Sequence, residues 1–397
     1  MNAVLDAVPL VVVAASARAL AECLRRAGLP AAGGRLLAVD AFGDDDLLAA
    51  VDGWQHLPLD ELARPERLRH AIANVLQPPR GEQRDAAGPV SRQRADVLIG
   101  GGLDGARDAL RAIGAEYRLL NTPLESWLAA REPLLFAQLG IDAPQTRAHP
   151  PPDPRGWLCK HADSSAGLGV TPAAAVALRV DGRHDTVAAY WQRRVGGTPV
   201  SLLFCAHAGG IVPVGINRQW CSPAPGLPFR FGGIAGGFDP GEGPRAALRL
   251  AAERVSAASG LRGLCSLDAV LDREGRMRAL EVNPRPTASV ELYDRAAPGL
   301  MALHTAAVLG AALPAWRPAA TCRALAWVRA PLPLCTGDAP RACADWRRGA
   351  VLRVDDPLCT LHAEASDALT AMRRVRSAAA HLRRRLRCRA VGSAPAG

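Results

Sequence analysis

Hydrophobic residues fall into short runs separated by polar, turn-forming stretches. Residues 8–14 read VPLVVVA, a continuous β-branched run that fits a strand buried on both faces. Ser16-Ala17-Arg18 opens an amphipathic helix over Ala19–Ala27, ended by Gly28 and Pro30. Further strands are expected at Leu36–Asp40 and at Asp96–Ile99, the latter running into Gly100-Gly101-Gly102. Strand, helix, strand in this order predicts a parallel α/β sheet, whose loops after the strands commonly bind ligands. Residues 78–94 are polar and turn-rich and read as a surface loop.

Glu125–Gly140 has a helical pattern with Pro133 breaking it. The proline-rich stretch His149–Pro154 reads as a linker between subdomains. Strands follow at Trp157–Lys160, within the apolar run Thr186–Val195, and as a pair at Val200–Ala206 and Gly210–Ile216. Ala246–Ser259 is an amphipathic helix stopped by Gly260, and two strands at 265–271 and 277–283 flank a turn. Pro314–Pro318 marks a last boundary. The expected organisation is an α/β domain over 1–115, a second domain over 116–315 and a small region over 316–397 ending in a basic helix. No internal repeat is visible.

With 397 residues, 49% hydrophobic and 22% charged, the chain reads as a globular protein of two or three domains. Among 48 basic residues a single one is lysine, Lys160; the rest are arginine. In so arginine-biased a chain, the remaining lysine is either chance or a place where arginine will not serve. The net charge is +10, and Met372–Arg389 holds eight arginines without an acid. That stretch reads as the solvated face of a C-terminal helix. No aromatic residues interleave for base stacking, which argues against a nucleic-acid partner. The ten cysteines form no C-x-x-C pair, which excludes zinc-ribbon and thioredoxin-type sites and fits reduced thiols in a cytoplasmic protein. The apolar run Val8–Ala15 is too short to span a bilayer, and no membrane association is expected.

Two segments carry chemistry. In 263–285, GLCSLDAVLDREGRMRALEVNPR, a two-residue turn at Glu274-Gly275 would set Asp268 directly opposite Glu281. Asn283 then shares their face, while Leu280 and Val282 point into the core. Two opposed carboxylates and an amide suit Mg²⁺ (or Mn²⁺), which takes few protein ligands and completes its shell with phosphate oxygens. Pro284 ends the strand and puts Arg285 beside that site. The second segment is Leu158-Cys159-Lys160 followed by HADSSAGLG. A strand delivers the lysine, and Ser164, Ser165, Gly167 and Gly169 let backbone amides approach phosphates. The lysine precedes the glycines, so this is not a Walker A loop. A strand ending Gln192-Arg193-Arg194-Val195-Gly196-Gly197 reads as a hinge.

Taken in this order, the segments resemble the ATP-grasp superfamily over roughly 115–310, with 1–115 similar to the Rossmann-like α/β domain that usually precedes it. Phe42-Gly43-Asp44, Arg230-Phe231-Gly232-Gly233 and Asp356-Pro357-Leu358-Cys359-Thr360 resemble one branch, ATP-dependent carboligases related to biotin carboxylase. Some of that branch are associated with pterin- or furan-linked one-carbon cofactors. The resemblance implies that Lys160 holds the α/β-phosphates of ATP and that Ser164, Ser165 and Gly167 cover the β/γ-phosphates. It implies that Gln192, Arg193 and Val195 meet the adenosine end and that Asp268, Glu281 and Asn283 hold Mg²⁺. Arg285 would steady the transferring phosphoryl group, and Arg230 with Arg285 would bind the substrate carboxylate. Two positions depart from the family pattern: Arg193 stands where an acid usually follows the hinge glutamine, and Arg131 where a second lysine usually sits.

The implied activity is ligation of a small carboxylate to an amine through an acyl phosphate, with a homodimer as the default assembly. Two alternatives remain open from the sequence. One is bicarbonate-dependent carboxylation of the biotin-carboxylase type. The other is an ATP-binding scaffold without turnover.

Overall fold

The computed structural model describes residues 8–77, 95–162, 164–177, 189–295, 298–340 and 342–392. The predicted loop at 78–94 lies outside them, as do residues 186–188 of the apolar run.

The first sheet is parallel in every pairing. It contains β1 (Leu10–Val13), β2 (Leu36–Asp40), β3 (Gly53–His56), β4 (Asp96–Ile99) and β5 (Arg118–Leu119), in the order β3-β2-β1-β4-β5. As expected for a β-branched run, β1 is buried on both faces. Val11 and Val13 pack with the helices Pro65–Leu76 and Arg107–Glu116, while Leu10 and Val12 join a second core with the helix Arg18–Arg26.

A four-stranded sheet follows, ordered β6-β9-β7-β8, from β6 (Thr146–Arg147), β7 (Trp157–His161), β8 (Val170–Pro172) and β9 (Ala189–Arg193). Because β6 and β7 belong to one sheet, the stretch His149–Pro154 is a connection within that sheet and not a linker between subdomains. The helical pattern over 125–140 resolves into helices Leu124–Ala130 and Leu135–Gln138 on either side of Pro133.

The large sheet contains β10 (Thr198–His207), β11 (Gly210–Cys221), β12 (Phe231–Gly236), β13 (Gly263–Leu271), β14 (Met277–Asn283) and β15 (Cys322–Arg329). Past a small ribbon of β16 (Leu334–Cys335) and β18 (Val351–Leu352), it adds β17 (Cys343–Ala344) and β19 (Pro357–Ala365). Its order is β14-β13-β10-β11-β12-β15-β19-β17, so the C-terminal region continues the sheet through β12 and β15. The helix Glu242–Ser259 covers one face and ends at Gly260, whose φ of 68° is left-handed. The C-terminal helix Ala368–Gly392 packs an apolar stripe that includes Ala371, Val375 and Ala379 against β15 and β19.

The β13–β14 hairpin differs from expectation in one instructive way. Its tip has three residues, Arg273-Glu274-Gly275, because the amide of Asp272 bonds to the carbonyl of Arg276. Leu271 therefore faces Met277, and a bulge at Leu280 restores Asp268 opposite Glu281. A regular register through a two-residue tip would put Arg278 on the same face as Val282, inside the core. The extra residue reverses the phase, so that Met277 and Ala279 are 5% and 0% exposed. Arg278 is left outside, paired with Asp272 and Asp142. Leu280, expected in the core, is only half-buried.

Candidate active site

Asp268 and Glu281 face each other across β13 and β14, and Ser266 faces Asn283 two residues along. Asn283 donates Nδ2 to Asp268 Oδ2 at 3.0 Å, and Gln219 donates Nε2 to Oδ1 at 3.1 Å from β11. Gln219 reaches over β10, where the small Ser201 is paired with Asp268. Burial, and then the neighbouring Glu281 carboxylate, push the Asp268 carboxyl up to about 7. This is a donor set with excess negative charge. With Asn283 it fits a divalent cation that keeps most of its shell for other ligands.

Lys160 arrives from the four-stranded sheet and is 7% exposed. Its Nζ lies 3.7 Å from Glu281 Oε2 and 3.4 Å from Gln192 Oε1, and 5.6 Å from the Tyr190 ring centre. Burial opposes its charge, but Tyr190, Glu281 and Asp268 outweigh burial and hold its pKa above the ordinary value. Gln192 donates in turn to Thr146 Oγ1 at 3.2 Å. The lysine strand and the carboxylate hairpin, on different sheets, thus meet at one point.

The loop after Lys160 is docked on the entry to β12. The amide of Phe231 bonds to the carbonyl of Ala166 at 2.9 Å. Gly167 has φ 71°, and a Cβ there would lie 2.1 Å from the carbonyl oxygen of Phe229. Only glycine fits. Ser164 turns its hydroxyl back onto the carbonyl of His161 at 2.9 Å. Arg131 reaches the same region, donating to the carbonyl of Ala162 at 2.8 Å.

Residues 134–289 match the family described as the ATP-grasp domain. The chain carries an ATP-grasp domain. Solved structures with the same fold extend the likeness beyond that segment. Biotin carboxylase from Campylobacter jejuni is 13% identical with a TM-score of 0.65, covering 92% of this chain and 89% of that one. N5-carboxyaminoimidazole synthetase from Staphylococcus aureus is 9% identical with a TM-score of 0.65, covering 95% and 98%. N5-carboxyaminoimidazole synthase from Aspergillus clavatus, solved with ADP and 5-aminoimidazole ribonucleotide, is 11% identical with a TM-score of 0.62, covering 91% and 95%. At these identities the likeness is one of fold. No curated protein matches by sequence.

Within the ATP-grasp domain, three expected contacts take a different form. Arg285 is not a free fork: Nε and Nη2 each lie 2.7 Å from the Asp104 carboxylate, and Nη2 is 3.4 Å from Asn283 Oδ1. Arg230 is held by Asp355 and by the carbonyl of Ser222, and it shares no partner with Arg285 among the described residues. At the hinge, the amides of Arg193 and Arg194 are used by the carbonyls of Gln145 and Gly156. The Arg193 side chain lies over Trp157, 5.7 Å from the ring centre. A cleft of about 490 Å³ opens beside them, lined by Gln145, Arg194, Val195, Gly196 and the hairpin tip.

Asp104 and Gln219 are not among the residues the sequence points to. Asp104 had a signal, since it follows the three glycines after β4. Gln219 had none, because its role depends on two neighbouring strands and a small residue between them.

Proposed function

We propose that this protein is an ATP-dependent ligase that activates a carboxylate as an acyl phosphate for attack by an amine. The reading is supported above all by the meeting of Lys160 with the Asp268–Glu281 pair, because phosphoryl transfer is catalysed chiefly by positioning and charge neutralisation. A carboxylate oxygen attacks the γ-phosphorus of ATP and ADP leaves. The amine then attacks the acyl carbon, inorganic phosphate leaves and the nitrogen loses a proton. Lys160 is assigned to the α/β-phosphates, and the loop with Ser164, Ser165 and Gly167 to the β/γ-phosphates. Gln192 and the hinge at Arg193 and Val195 are assigned to the adenosine end. Asp268, Glu281 and Asn283 would hold Mg²⁺ or Mn²⁺, which supplies positive charge to the phosphate oxygens when bound. Arg285, steadied by Asp104, sits beside Asn283 and adds fixed positive charge there. Arg230 is assigned to the acid substrate.

The test is ADP release by the full chain with MgATP, a panel of small acids and amino acids, and hydroxylamine as a trap for the acyl phosphate. Acid-dependent ADP release with hydroxamate formation supports the reading. ATP binding without acid-dependent ADP release overturns it and leaves a scaffold role. The fold shared with biotin carboxylase supports bicarbonate as the second candidate acid, and bicarbonate-dependent ADP release identifies that case. The single lysine of this sequence is buried at the site and is not placed to carry biotin.

A further inference from the structure

A second concentration of charge lies where the segment before β12 meets the C-terminal region. Arg230, 4% exposed, bonds through Nε to the carbonyl of Ser222 at 2.9 Å and through Nη1 to the carboxylate of Asp355. Arg329, at the end of β15, donates Nη1 to the main-chain carbonyl of Asp355 at 3.0 Å. Arg383, half-buried on the C-terminal helix, comes within electrostatic reach of Arg230 and Asp355. Burial, and then the charge of Arg230, lower the pKa of both Arg329 and Arg383. Three guanidinium groups therefore gather around Asp355, of which only Arg230 forms an ion pair with its carboxylate among the described residues, and Asp356 also acts on Arg329. The next acid, Asp356, is committed to its own turn, accepting the amide of Arg353 at 2.7 Å.

Asp355 occupies its place through an uncommon backbone. Its φ is 72°, in the left-handed region that few non-glycine residues adopt. Its amide is fixed to the carbonyl of Ala330 at 2.9 Å. Its side chain is 48% exposed while that of Arg230 is 5% exposed, so the carboxylate sits at an open mouth with the arginine beneath it. The backbone of Arg230 also abuts the loop after Lys160, since a Cβ on Gly167 would lie 3.4 Å from its nitrogen.

We propose that Arg230, Arg329 and Arg383 bind a dianionic group on the substrate, a phosphate ester or a paired dicarboxylate, and that Asp355 occupies the site until that group displaces it. This rests on the ligase reading for its place in the reaction. The charge of the ligand follows from the competition with Asp355. A single carboxylate would only exchange with one that is tethered in place and therefore at high effective concentration. A dianion engages Arg329 and Arg383, which form no ion pair among the described residues, and these make charge-assisted hydrogen bonds.

Calorimetric titration of the full chain, saturated with MgADP, tests this with inorganic phosphate, malonate and acetate as probes. Phosphate or malonate should bind at one site and acetate should not; whichever dianion binds tells a phosphate ester from a dicarboxylate. Asp355→Asn, which tolerates the same backbone, should tighten that binding about tenfold or more. Arg329→Gln and Arg383→Gln should each weaken it by about tenfold or more while ADP affinity stays unchanged. Arg329→Lys and Arg383→Lys replace either variant if its melting curve shows misfolding. Absence of saturable binding by both dianions, or binding indifferent to these substitutions, overturns the proposal. The readout needs no turnover, so its failure is separate from a failure of acid-dependent ADP release.

Discussion

Arg285 closes two hydrogen bonds of 2.7 Å onto Asp104, a residue 181 positions away in the chain. Asp104 also lies 3.5 Å from Arg131, so one buried carboxylate holds Arg285 and Arg131 against the glycine loop of the first sheet. Burial alone would raise its pKa; Arg285 and Arg131 reverse that and hold it below the ordinary carboxylate value. Asp104→Asn removes the carboxylate that both cations contact and leaves Arg285 only the more distant Glu281 and Asp268. Breaking a buried pair from one side costs about 3–5 kcal/mol. The denaturant midpoint of this variant should fall accordingly, and an unchanged midpoint would show that the pair does not hold the two parts together.

Lys160→Arg keeps the charge but replaces a compact ammonium by a broad planar fork. The fork would have to replace the contacts that the ammonium makes with Glu281, Gln192 and Tyr190. Turnover with ATP should fall on the order of 10²-fold or more. Steady-state kinetics and a fluorescent-nucleotide titration check this. Glu281→Gln should remove the dependence of nucleotide affinity on Mg²⁺ while leaving the melting temperature close to that of the parent. Full activity in Lys160→Arg would sink the argument from the single lysine.

Gly167→Ala puts a methyl group 2.1 Å from the carbonyl oxygen of Phe229 at a φ of 71°. The loop must lift off the entry to β12, and KM for ATP should rise about tenfold or more. Gly275→Ala provides the comparison. Gly275 has φ 76° with nothing within 4 Å, so that change adds backbone strain alone and should leave KM unchanged.

His304 predicts a pH dependence of stability. Its Nδ1 accepts the amide of Leu264 at 2.8 Å, and its Nε2 lies 2.8 Å from the carbonyl of Leu120. The ring is therefore neutral with the proton on Nε2. Burial lowers its pKa to about 4. An unfolded histidine titrates near 6.5, so the unfolded state binds the extra proton first as the pH falls. Stability is complete above about pH 6.5 and declines toward about pH 4, by at most roughly 3 kcal/mol from this group. Urea midpoints across that window should flatten in His304→Gln.

The strands were legible where hydrophobicity alone decides them. The run at Leu10–Val13 could only be doubly buried. The site was legible in its acids and its lysine, because like charges on adjacent strands demand a cation. The counter-ions of its arginines were not. Asp104 and Asp355 come from other parts of the chain, and no local period announces a partner brought in by tertiary packing. The hairpin tip departs from expectation for a comparable reason: a regular register satisfies the two carboxylates but places Arg278 in the core.

That bulge has a consequence for how the hairpin can vary. The regular register and the bulged one differ at every pair from Leu271 to Ala269, yet both set Asp268 against Glu281. Relieving the cost at Arg278, for example with leucine, would let the tip slip by one residue and Leu280 turn inward. The carboxylates would stay where they are. Leu280 is a slip joint: it lets the tip change length and composition without transmitting the change to the site.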